Sequence, residues 1–292
     1  MTTRGTMEER NKKGENLEEF LSNYDETKYR RPSNTVDMIL MTVSDGKLKI
    51  LLVKRGNHPF INDWALPGGF VNFDEDLDDA VERELAEETH ITKHTYFRQL
   101  YTLGNVDRDP RTRIISTVYL TMTPSENIKE TKAGDDAADT AWFTISKVTE
   151  KTEASGRVSL LTLEDEDLNA RMEYRIYDKA MHNYIETRSV LLKSSNVKLA
   201  TDHIKVINMA MDQVQNRAAS TGILFNLLPK ECTLREIQNA YEAVIGHKID
   251  TGNFRRDIKK MLISTGKKKK VSGKPSALYI FNPMYSYLEE NL

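Results

Sequence analysis

The sequence has one cysteine, Cys232, among its 292 residues. A single thiol cannot form an internal disulfide, so it is interpreted as inert packing in a reducing compartment. The longest apolar runs, such as Met38–Val43 and Ile223–Leu228, are far shorter than the ~20 residues that cross a bilayer. The segment 1–19 lacks the apolar stretch of a secretory signal. We therefore expect a cytoplasmic protein without a membrane span.

An excess of charge of either sign is also missing from the chain as a whole, whose net charge is −2. This balance conceals a local excess. The segment Asp250–Lys274 contains nine Lys and Arg residues against two Asp residues, so it carries +7 and leaves −9 for the rest. A dense basic segment on an acidic chain predicts a polyanion as the partner of that segment.

The length of the chain predicts two domains joined by a linker. Residues 1–33 are interpreted as an amino-terminal arm, disordered over its first 14 residues, with a short amphipathic helix near Leu17–Tyr24 that packs on the next part of the chain. Patterns typical of strands then begin. A hairpin is predicted around Asp45-Gly46, and the whole set of predicted strands is Thr35–Val43, Leu48–Lys54, Tyr96–Leu103, Ile114–Met122 and Thr140–Phe143.

One helix, about Asp76–Thr89, is predicted between these strands. Extra β-structure is expected at about 150–195, in the stretches Ser159–Leu163, Met172–Tyr177 and Tyr184–Leu192. The sequence does not indicate what this β-structure does. Helical periodicity returns at Ala200–Gln215, where Ile204, Ile207, Met211 and Val214 line one side. We therefore expect a first domain over 34–199, a connecting helix over 200–220 and a second domain over 221–292.

The predicted helix Asp76–Thr89 changes character along its inward face. Leu77, Ala80, Val81 and Leu85 mark an apolar stripe, and at about 100° per residue Glu84 and Glu88 project within the same arc. Glu87 lies beside them, so three carboxylates are expected to cluster. Unpaired anions at that density are costly, and Mg²⁺ relieves the cost because it takes carboxylate and phosphate oxygens as ligands. A solvated helix face is the structural alternative.

Two neighbouring features support a metal site. Arg83 lies four residues before Glu87 and is expected to orient that carboxylate by a bidentate contact. The turn Leu66–Gly69 brings backbone close to a ligand, and the Gly68 carbonyl is a further candidate for the metal shell.

The whole segment Gly69–Ile91 resembles the Nudix box, which implies Mg²⁺ or Mn²⁺ bound against a nucleoside diphosphate derivative. By position, the resemblance assigns Glu84, Glu87 and Glu88 as metal ligands, supported by Glu75 and Arg83. One residue departs from the motif, because His90 stands where the family has glycine. That position ends the helix, where positive φ favours glycine, so retained hydrolysis is not implied.

The carboxy-terminal segment has the parts of a winged helix. Thr233 and Glu236 form a capping box for a helix that ends near Gly246, and Asp250 caps a second helix with Phe254 inward. A basic hairpin and a strand at Ala277–Phe281 come next. We expect duplex DNA to contact the second helix and the hairpin through these candidates: Thr233, Asn253, Arg255, Arg256, Lys259, Lys260, Lys267, Lys268, Lys269, Lys270 and Lys274. A solubilising basic tail is the alternative.

Together the two halves resemble the Nudix-related transcriptional regulators of NAD metabolism, the NrtR family. The stretches that carry the likeness are Trp64–Phe70, Gln99–Gly104, Arg108–Arg111, Ala200–His203, Asn253–Arg256 and Pro275–Tyr279. The resemblance implies an α/β (α+β) Nudix fold, with a mixed sheet and helices on both sides, followed by a winged helix-turn-helix domain. It also implies a homodimer that binds operator DNA in response to ADP-ribose or another NAD-related metabolite, or to a sugar as in some relatives.

Three functions stay open from the sequence. A ligand-responsive regulator accounts for both domains, whereas an active ADP-ribose-type pyrophosphatase accounts for the intact acids but not for the winged helix. An RNA-end pyrophosphatase is weaker, because no RNA-binding signature is present. Four cations are candidates for phosphate or ribose contacts, with surface salt bridges as their alternative, and His203 and Trp64 are interpreted as packing residues. The four cations are Lys54, Arg55, Arg108 and Arg111.

Overall fold

A computed structural model describes residues 9–89, 91, 95–128, 140–271 and 274–285. The segment Met1–Pro32 forms a unit of its own. Its helix α1 (Leu17–Ser22) begins with a capping box, in which Asn16 and Glu19 each accept a hydrogen bond from the other's backbone N–H. None of the α1 residues is buried. The short helix is confirmed, its packing stays a prediction, and most of the expected disordered arm lies outside the described residues.

The unit Ser33–Leu292 is built on one mixed ten-stranded sheet. Its main path follows the strand order β10-β9-β8-β7-β2-β1-β6-β5, with the short β3 and β4 attached to β2 and β1. Only β1 and β6 run parallel among the described pairs. The strands are β1 (Ser33–Ser44), β2 (Lys47–Lys54), β3 (Trp64–Ala65), β4 (Gly68–Phe70), β5 (Tyr96–Leu103), β6 (Ile114–Met122), β7 (Thr140–Glu153), β8 (Gly156–Asp165), β9 (Ala170–Ala180) and β10 (Ile185–Leu191).

Strand β1 is buried on both faces, which explains its nearly continuous apolar sequence. Met38 and Leu40 pack on one side against helix α2 (Leu77–Thr89), in a core cluster with Val81. Ile39 and Met41 face the other side and join the cluster that contains helix α3 (His203–Arg217). The predicted arrangement of a mixed sheet with helices on both sides is therefore confirmed.

The expected extra β-structure is present as β8, β9 and β10, which extend the sheet beyond β7. Strand β7 is longer than predicted because its alternating burial continues past Phe143 and its far half pairs with β8. On the α3 side, the buried Lys147 contacts Asp212 of α3 at 2.6 Å, and Arg157 contacts both Asp212 and Asp178. Polar contacts as well as apolar ones thus tie α3 to the added strands.

The chain continues from α3 into the elements expected of a winged helix. These are a 3₁₀ segment (Gly222–Leu227), α4 (Leu234–Ile245), α5 (Thr251–Ile258), β11 (Leu262–Val271) and β12 (Lys274–Phe281). Cys232 is buried and exchanges backbone hydrogen bonds with Tyr279 of β12, consistent with the packing interpretation. Helix α5 ends at Ile258, where the backbone tightens into a 3₁₀ turn at Lys259–Met261. None of the described helices combines the length and the apolar character that crossing a membrane requires.

Candidate ligand site and nucleic-acid interface

Helix α2 turns carboxylates toward the protein interior, as the periodicity predicts. Glu84 is only 8% exposed and lies in line with the buried Ala80, Val81 and Leu85. Leu77 was expected in the same stripe, but this prediction is wrong, since the residue is the first of the helix and is 38% exposed. The acidic stretch is therefore partly an interior feature and not a uniformly solvated helix face.

Arg83 is the centre of the acidic cluster. Its guanidinium makes a bidentate contact with Glu75, with Nε to Oε2 at 3.0 Å and Nη2 to Oε1 at 2.6 Å. Nη1 donates to Glu84 at 2.7 Å and reaches Glu87 at only 3.3 Å. The bidentate partner is thus Glu75 and not the predicted Glu87, because Glu75 is fixed in the preceding loop by the backbone N–H of Asn72 at 2.7 Å.

The two ends of this cluster have opposite electrostatic character. Hydrogen bonds from Arg83 and from the Asn72 backbone lower the pKa of Glu75 to about 2. Burial, followed by repulsion from Glu84, raises the pKa of Glu88 to about 7, although a hydrogen bond from the Gly68 backbone opposes the rise. The Oε2 atom of Glu88 is buried without a hydrogen-bond partner among the described residues. Negative charge is therefore compensated at Glu75 and uncompensated at Glu88.

The two glycines of the preceding turn are required by close approach. A Cβ on Gly69 would lie 2.0 Å from the Glu84 Oε1 atom, and one on Gly68 would lie 2.1 Å from the Val36 carbonyl oxygen. Gly68 also has a φ of +150°. Any side chain at these positions would push the turn away from α2 and β1. The turn therefore brings backbone directly onto the acidic helix, as the motif predicts.

The expected set of three free carboxylates is not formed. In the described part of the chain, no group of three or more Asp, Glu, His or Cys side chains is placed to hold a metal ion. Glu84 and Glu87 instead face the guanidinium of Arg83. The unpaired buried oxygen of Glu88 nevertheless fits a divalent cation by charge and by ligand type. His90, whose departure from the motif bears on activity, lies outside the described residues.

The four cations predicted to contact a ligand occupy different environments. Arg108 is 6% exposed in its side chain and makes a two-point contact with Asp202, at 3.0 and 3.3 Å. Arg55 donates to the Pro59 carbonyl at 2.8 Å. Lys54 is half-buried at the end of β2 and has a partner of its own. Arg108 and Arg55 are therefore engaged in structural contacts within the protein.

Arg111 is the most accessible of the four. It pairs with Asp109 at 2.8 Å, and its guanidinium carbon lies 5.9 Å from the ring centre of Phe70 in the Nudix-like loop. Phe70 is 48% exposed, and Phe73 in the same loop is 92% exposed. An exposed cation beside an exposed aromatic ring is suited to a flat anionic ligand such as a nucleotide.

His203 and Trp64 are packing residues, as the sequence suggests. His203 is 5% exposed, and its Nδ1 atom accepts a hydrogen bond from the Leu66 N–H at 3.1 Å. Burial lowers the pKa of His203, so the ring is held neutral. Trp64 is 3% exposed and packs edge-on against Phe143, with ring centres 4.8 Å apart. Both residues connect the motif's turn to the rest of the fold.

The basic face of the winged helix includes most of the predicted cations. Phe254 and Ile258 of α5 face inward, whereas Asn253, Arg255 and Arg256 are exposed. Thr233 is only 2% exposed, and its hydroxyl is engaged with Glu236 as the helix cap. Its assignment as a DNA contact stays a prediction, since Thr233 also lines the cleft between α4 and the wing.

The lysines of β11 divide into two pairs. Lys267 and Lys269 form ion pairs with Glu231 and Glu236, at 2.7 and 3.0 Å. Lys268 and Lys270 alternate with them along the strand and have no ion-pair partner within the described residues. Lys274 begins β12, and the wing tip between the strands, 272–273, lies outside the described residues. Free positive charge is thus concentrated on one face of the wing.

Sequence reasoning missed a cleft of about 580 Å³ between α4, α5 and the wing. Its lining includes Arg235, Ser276 and Tyr279 together with the predicted Thr233, Arg255 and Lys274. Arg235 lies in the first turn of α4, two residues after the capping Thr233, and that position is the signal from which it could have been found. The cleft has hydroxyl and guanidinium groups suited to a phosphate backbone.

The fold and the two sites define a Nudix-type domain joined to a DNA-binding winged helix. Residues 32–163 match the NUDIX domain, and residues 224–281 match the NrtR DNA-binding winged helix domain. The chain therefore combines a Nudix domain with an NrtR-type winged helix domain.

Relatives support the same architecture over most of the chain. A protein of Acinetobacter baylyi named ADPR responsive transcriptional repressor NtrR is 28% identical over 90% of this chain and 87% of its own length. The crystal structure of Shewanella oneidensis NrtR complexed with a 27mer DNA is 28% identical, with a TM-score of 0.61 over 87% of this chain and 95% of that chain. An ADP-ribose pyrophosphatase of Methanocaldococcus jannaschii is 38% identical over 41% of this chain and 66% of its length.

Proposed function

We propose that this protein is a transcriptional regulator whose winged helix binds duplex DNA and whose Nudix domain senses ADP-ribose or a related metabolite. In this proposal the Nudix domain spans 34–199, α3 connects the domains across 200–220, and the winged helix spans 221–292. The regulator acts as a homodimer in the cytoplasm. The named activity of the Acinetobacter relative, similar over 90% of the chain, supports this combination.

The observation that carries the proposal is the pair of contacts made by α3. At its amino end, His203 accepts the hydrogen bond of Leu66, directly before the turn that approaches the acidic helix. At its other end, Gln215 donates to the carbonyls of Lys147 and Val244, both at 3.1 Å. Val244 belongs to α4 of the winged helix. One rigid helix therefore contacts both the candidate ligand site and the DNA-binding domain.

The DNA contacts are proposed on the exposed basic groups of α5, the wing and the cleft between them. Asn253, Arg255, Arg256, Lys259, Lys260 and Lys274 are the predicted residues of this surface, together with the wing lysines 267–270. Arg235 is added to them because it lines the cleft. Helix α5 is short and amphipathic, with its polar side exposed, as entry into a major groove requires.

Mg²⁺ or Mn²⁺ is the proposed cofactor of the ligand site. Glu84, Glu87 and Glu88 are its proposed ligands, with the Gly68 carbonyl as a fourth and Glu75 and Arg83 as supporting groups. The unpaired Glu88 oxygen supports this assignment. Since Arg83 contacts both Glu84 and Glu87, a bound cation requires at least one of these carboxylates to turn away from the guanidinium.

The test is a thermodynamic cycle on DNA that the protein itself selects from a random library. Fluorescence anisotropy measures the dissociation constant with and without ADP-ribose and Mg²⁺. A ligand that couples to DNA binding changes it by about 5- to 150-fold, and DNA must change ligand affinity by the same factor. If ADP-ribose, NAD, nucleotides and pentoses all leave the DNA affinity unchanged, although one of them raises the melting temperature, the regulator proposal fails.

A second function, metal-dependent hydrolysis of a nucleoside diphosphate derivative, is supported by the complete set of motif acids and by the similarity to an ADP-ribose pyrophosphatase. A bound divalent cation would neutralise the diphosphate and lower the pKa of the attacking water. Incubation of ADP-ribose with Mg²⁺, followed by ion-exchange chromatography, tests it. Hydrolysis is supported if the natural chain forms AMP and ribose 5-phosphate and the Glu84→Gln/Glu88→Gln variant does not. If no nucleoside diphosphate derivative gives a product, the Nudix domain acts as a sensor only.

A further inference from the structure

Strand β10 is an open edge of the ten-stranded sheet. It pairs with β9 on one side and has no strand partner on its other side within the described residues. Its sequence, Ile185–Leu191, contains neither lysine nor proline, the residues that commonly keep such edges apart. Apolar side chains are exposed on and beside it, notably Tyr184 at 59% and Ile185 at 67%. An edge of this composition is suited to pairing with another strand.

The hydrogen bonds to β9 fix which backbone groups of β10 remain available. Met181 N–H donates to the Tyr184 carbonyl at 2.9 Å, and Leu192 N–H donates to the Glu173 carbonyl at 2.8 Å, in register with the strand pairing. Antiparallel pairs alternate, so the even-numbered residues of β10 bond to β9. The N–H and C=O groups of Ile185, Thr187, Ser189 and Leu191 therefore point away from β9.

We propose that β10 pairs antiparallel with β10 of a second copy of this chain, around a twofold axis at Thr187. A twofold interface is self-complementary by construction, so the strand must match its own reverse. In this register Thr187 lies opposite Thr187, and Ile185 lies opposite Ser189 of the second copy. Both are pairs of outward-pointing backbone groups, so the two strands exchange hydrogen bonds without a bulge.

The charges of β10 select this register over its neighbours. With the axis at Thr187, Glu186 of each copy lies opposite Arg188 of the other, which gives two opposite-charge pairs. An axis one residue away would place either Glu186 or Arg188 against itself, and like charges directly opposite are destabilising. An axis two residues away leaves both charges opposite uncharged residues. Neither side chain has an ion-pair partner in the described part of the chain.

Flanking side chains add to the match. With the axis at Thr187, Tyr184 lies opposite Val190 of the second copy on the same face as the charged pairs. Aromatic and β-branched residues are favourable cross-strand neighbours. The edge is seven residues long, a small interface, so the pairing is expected to be reversible. The strand pairing supplies an interface for the proposed homodimer, and it requires neither DNA nor ADP-ribose.

Disulfide trapping tests the register directly. In the full chain carrying Cys232→Ser, Thr187→Cys places two thiols at a hydrogen-bonded pair, where Cα atoms lie about 5.5 Å apart, within disulfide range. Ser189→Cys is the matched control, because its copies are displaced by four residues along the strands. Oxidation with copper phenanthroline is expected to give a covalent dimer for Thr187→Cys only, on a non-reducing gel. Equal cross-linking of the two variants, or none with folded protein, overturns the proposal.

Charge reversal supplies an independent readout that does not require a new cysteine. Arg188→Glu should weaken self-association by about tenfold in sedimentation experiments, since two attractive pairs become repulsive. The double variant Glu186→Arg/Arg188→Glu restores opposite charges and should restore association. If both variants associate as the natural chain does, the pairing is wrong. Failure here leaves the DNA and ADP-ribose tests unaffected, because those are measured on different surfaces.

Discussion

The Nδ1 atom of His203, the first residue of α3, accepts a hydrogen bond from the backbone N–H of Leu66 at 3.1 Å. Leu66 is followed directly by the Pro67–Gly69 turn. The accepting nitrogen must carry no proton, so the bond exists only with a neutral ring that has its proton on Nε2. The link between α3 and the turn therefore depends on the environment of one histidine.

This link predicts a pH dependence of stability. Burial lowers the pKa of His203 below 6.5, so as pH falls through 6.5 the unfolded state takes up a proton that the folded state does not. Stability should fall with pH in that window and be fully present above it. The charged groups that face the ring are Asp37, Asp202, Arg108 and Arg55.

His203→Asn is the matched variant for this effect, because the Asn Oδ1 atom can accept the Leu66 hydrogen bond but does not titrate. Urea unfolding between pH 5 and 7.5 measures the difference. The free energy of unfolding of the natural chain should fall more steeply below pH 6.5 than that of the variant. Parallel pH profiles for the two proteins would show that His203 is protonated as readily in the folded state as in the unfolded state.

The contact between Arg108 and Asp202 predicts a stability effect where ligand binding was first expected. Arg108→Met leaves Asp202 without its partner and should lower the free energy of unfolding by about 2 to 3 kcal/mol. This is below the usual cost for fully buried pairs, because the Asp202 side chain is 22% exposed. Denaturant unfolding measures it. The double variant Arg108→Met/Asp202→Leu should recover part of the loss. A loss in the double variant that exceeds the sum of the losses in the two single variants would contradict the pairing.

The sequence predicted elements better than it predicted pairings within the site. The periodicity of α2 located Glu84 on the inward face, and strands β5 and β6 begin and end at the predicted residues. It could not predict that Arg83 would bind Glu75 with both nitrogens. That choice depends on the loop 70–76, where a backbone N–H fixes Glu75 in place. Loop geometry has no period from which it can be predicted.

For a related reason, the sequence did not predict the burial of Arg108 and Thr233. Their sequence neighbours do not reveal that Asp202, 94 positions away from Arg108, lies against it, or that the capping box of Thr233 is enclosed in the domain core. Both side chains are polar, and both make contacts within the protein. Long-range contacts of this kind depend on how the sheet, α3 and α4 pack.

The single thiol predicts slow chemical labelling. Burial, above all, raises the pKa of Cys232 to about 12 from its usual value of 9.0. At pH 8 the thiolate is therefore about a thousandfold rarer than in the unfolded chain. Iodoacetamide should label the native protein far more slowly than the same protein in urea, as followed by mass spectrometry. Rapid labelling of folded protein would contradict the packed position beside Tyr279.

The two lysine pairs of the wing should differ in DNA binding. Replacing Lys268 and Lys270 with Ser removes two cations that have no ion pair among the described residues, and should flatten the log–log salt slope by about 1.8 units. Replacing Lys267 and Lys269 with Ser is the matched control. Its effect should be smaller, because these cations are compensated by Glu231 and Glu236. Anisotropy titrations at several salt concentrations measure the salt slopes of both variants. Equal slopes for the two variants would mean that all four lysines contact phosphates equally.

The last prediction concerns Gln215, whose side-chain amide donates at 3.1 Å both to the Lys147 carbonyl on β7 and to the Val244 carbonyl on α4. Both bonds need the amide N–H groups, so Gln215→Met removes them while keeping the length of the side chain. If α3 transmits ligand binding through this contact, the variant should bind ADP-ribose and DNA singly with near-natural affinity. The factor by which each ligand changes the affinity of the other should then fall toward one, a loss of up to about 1 to 3 kcal/mol of coupling. Anisotropy on the selected DNA, with and without saturating ADP-ribose, gives that factor in one direction, and calorimetry with and without DNA gives it in the other. Gln213→Met, a half-buried glutamine of the same helix, is the control for altered helix composition. If the coupling factor of Gln215→Met equals that of the natural chain, the two domains communicate through the apolar contacts of α3 instead.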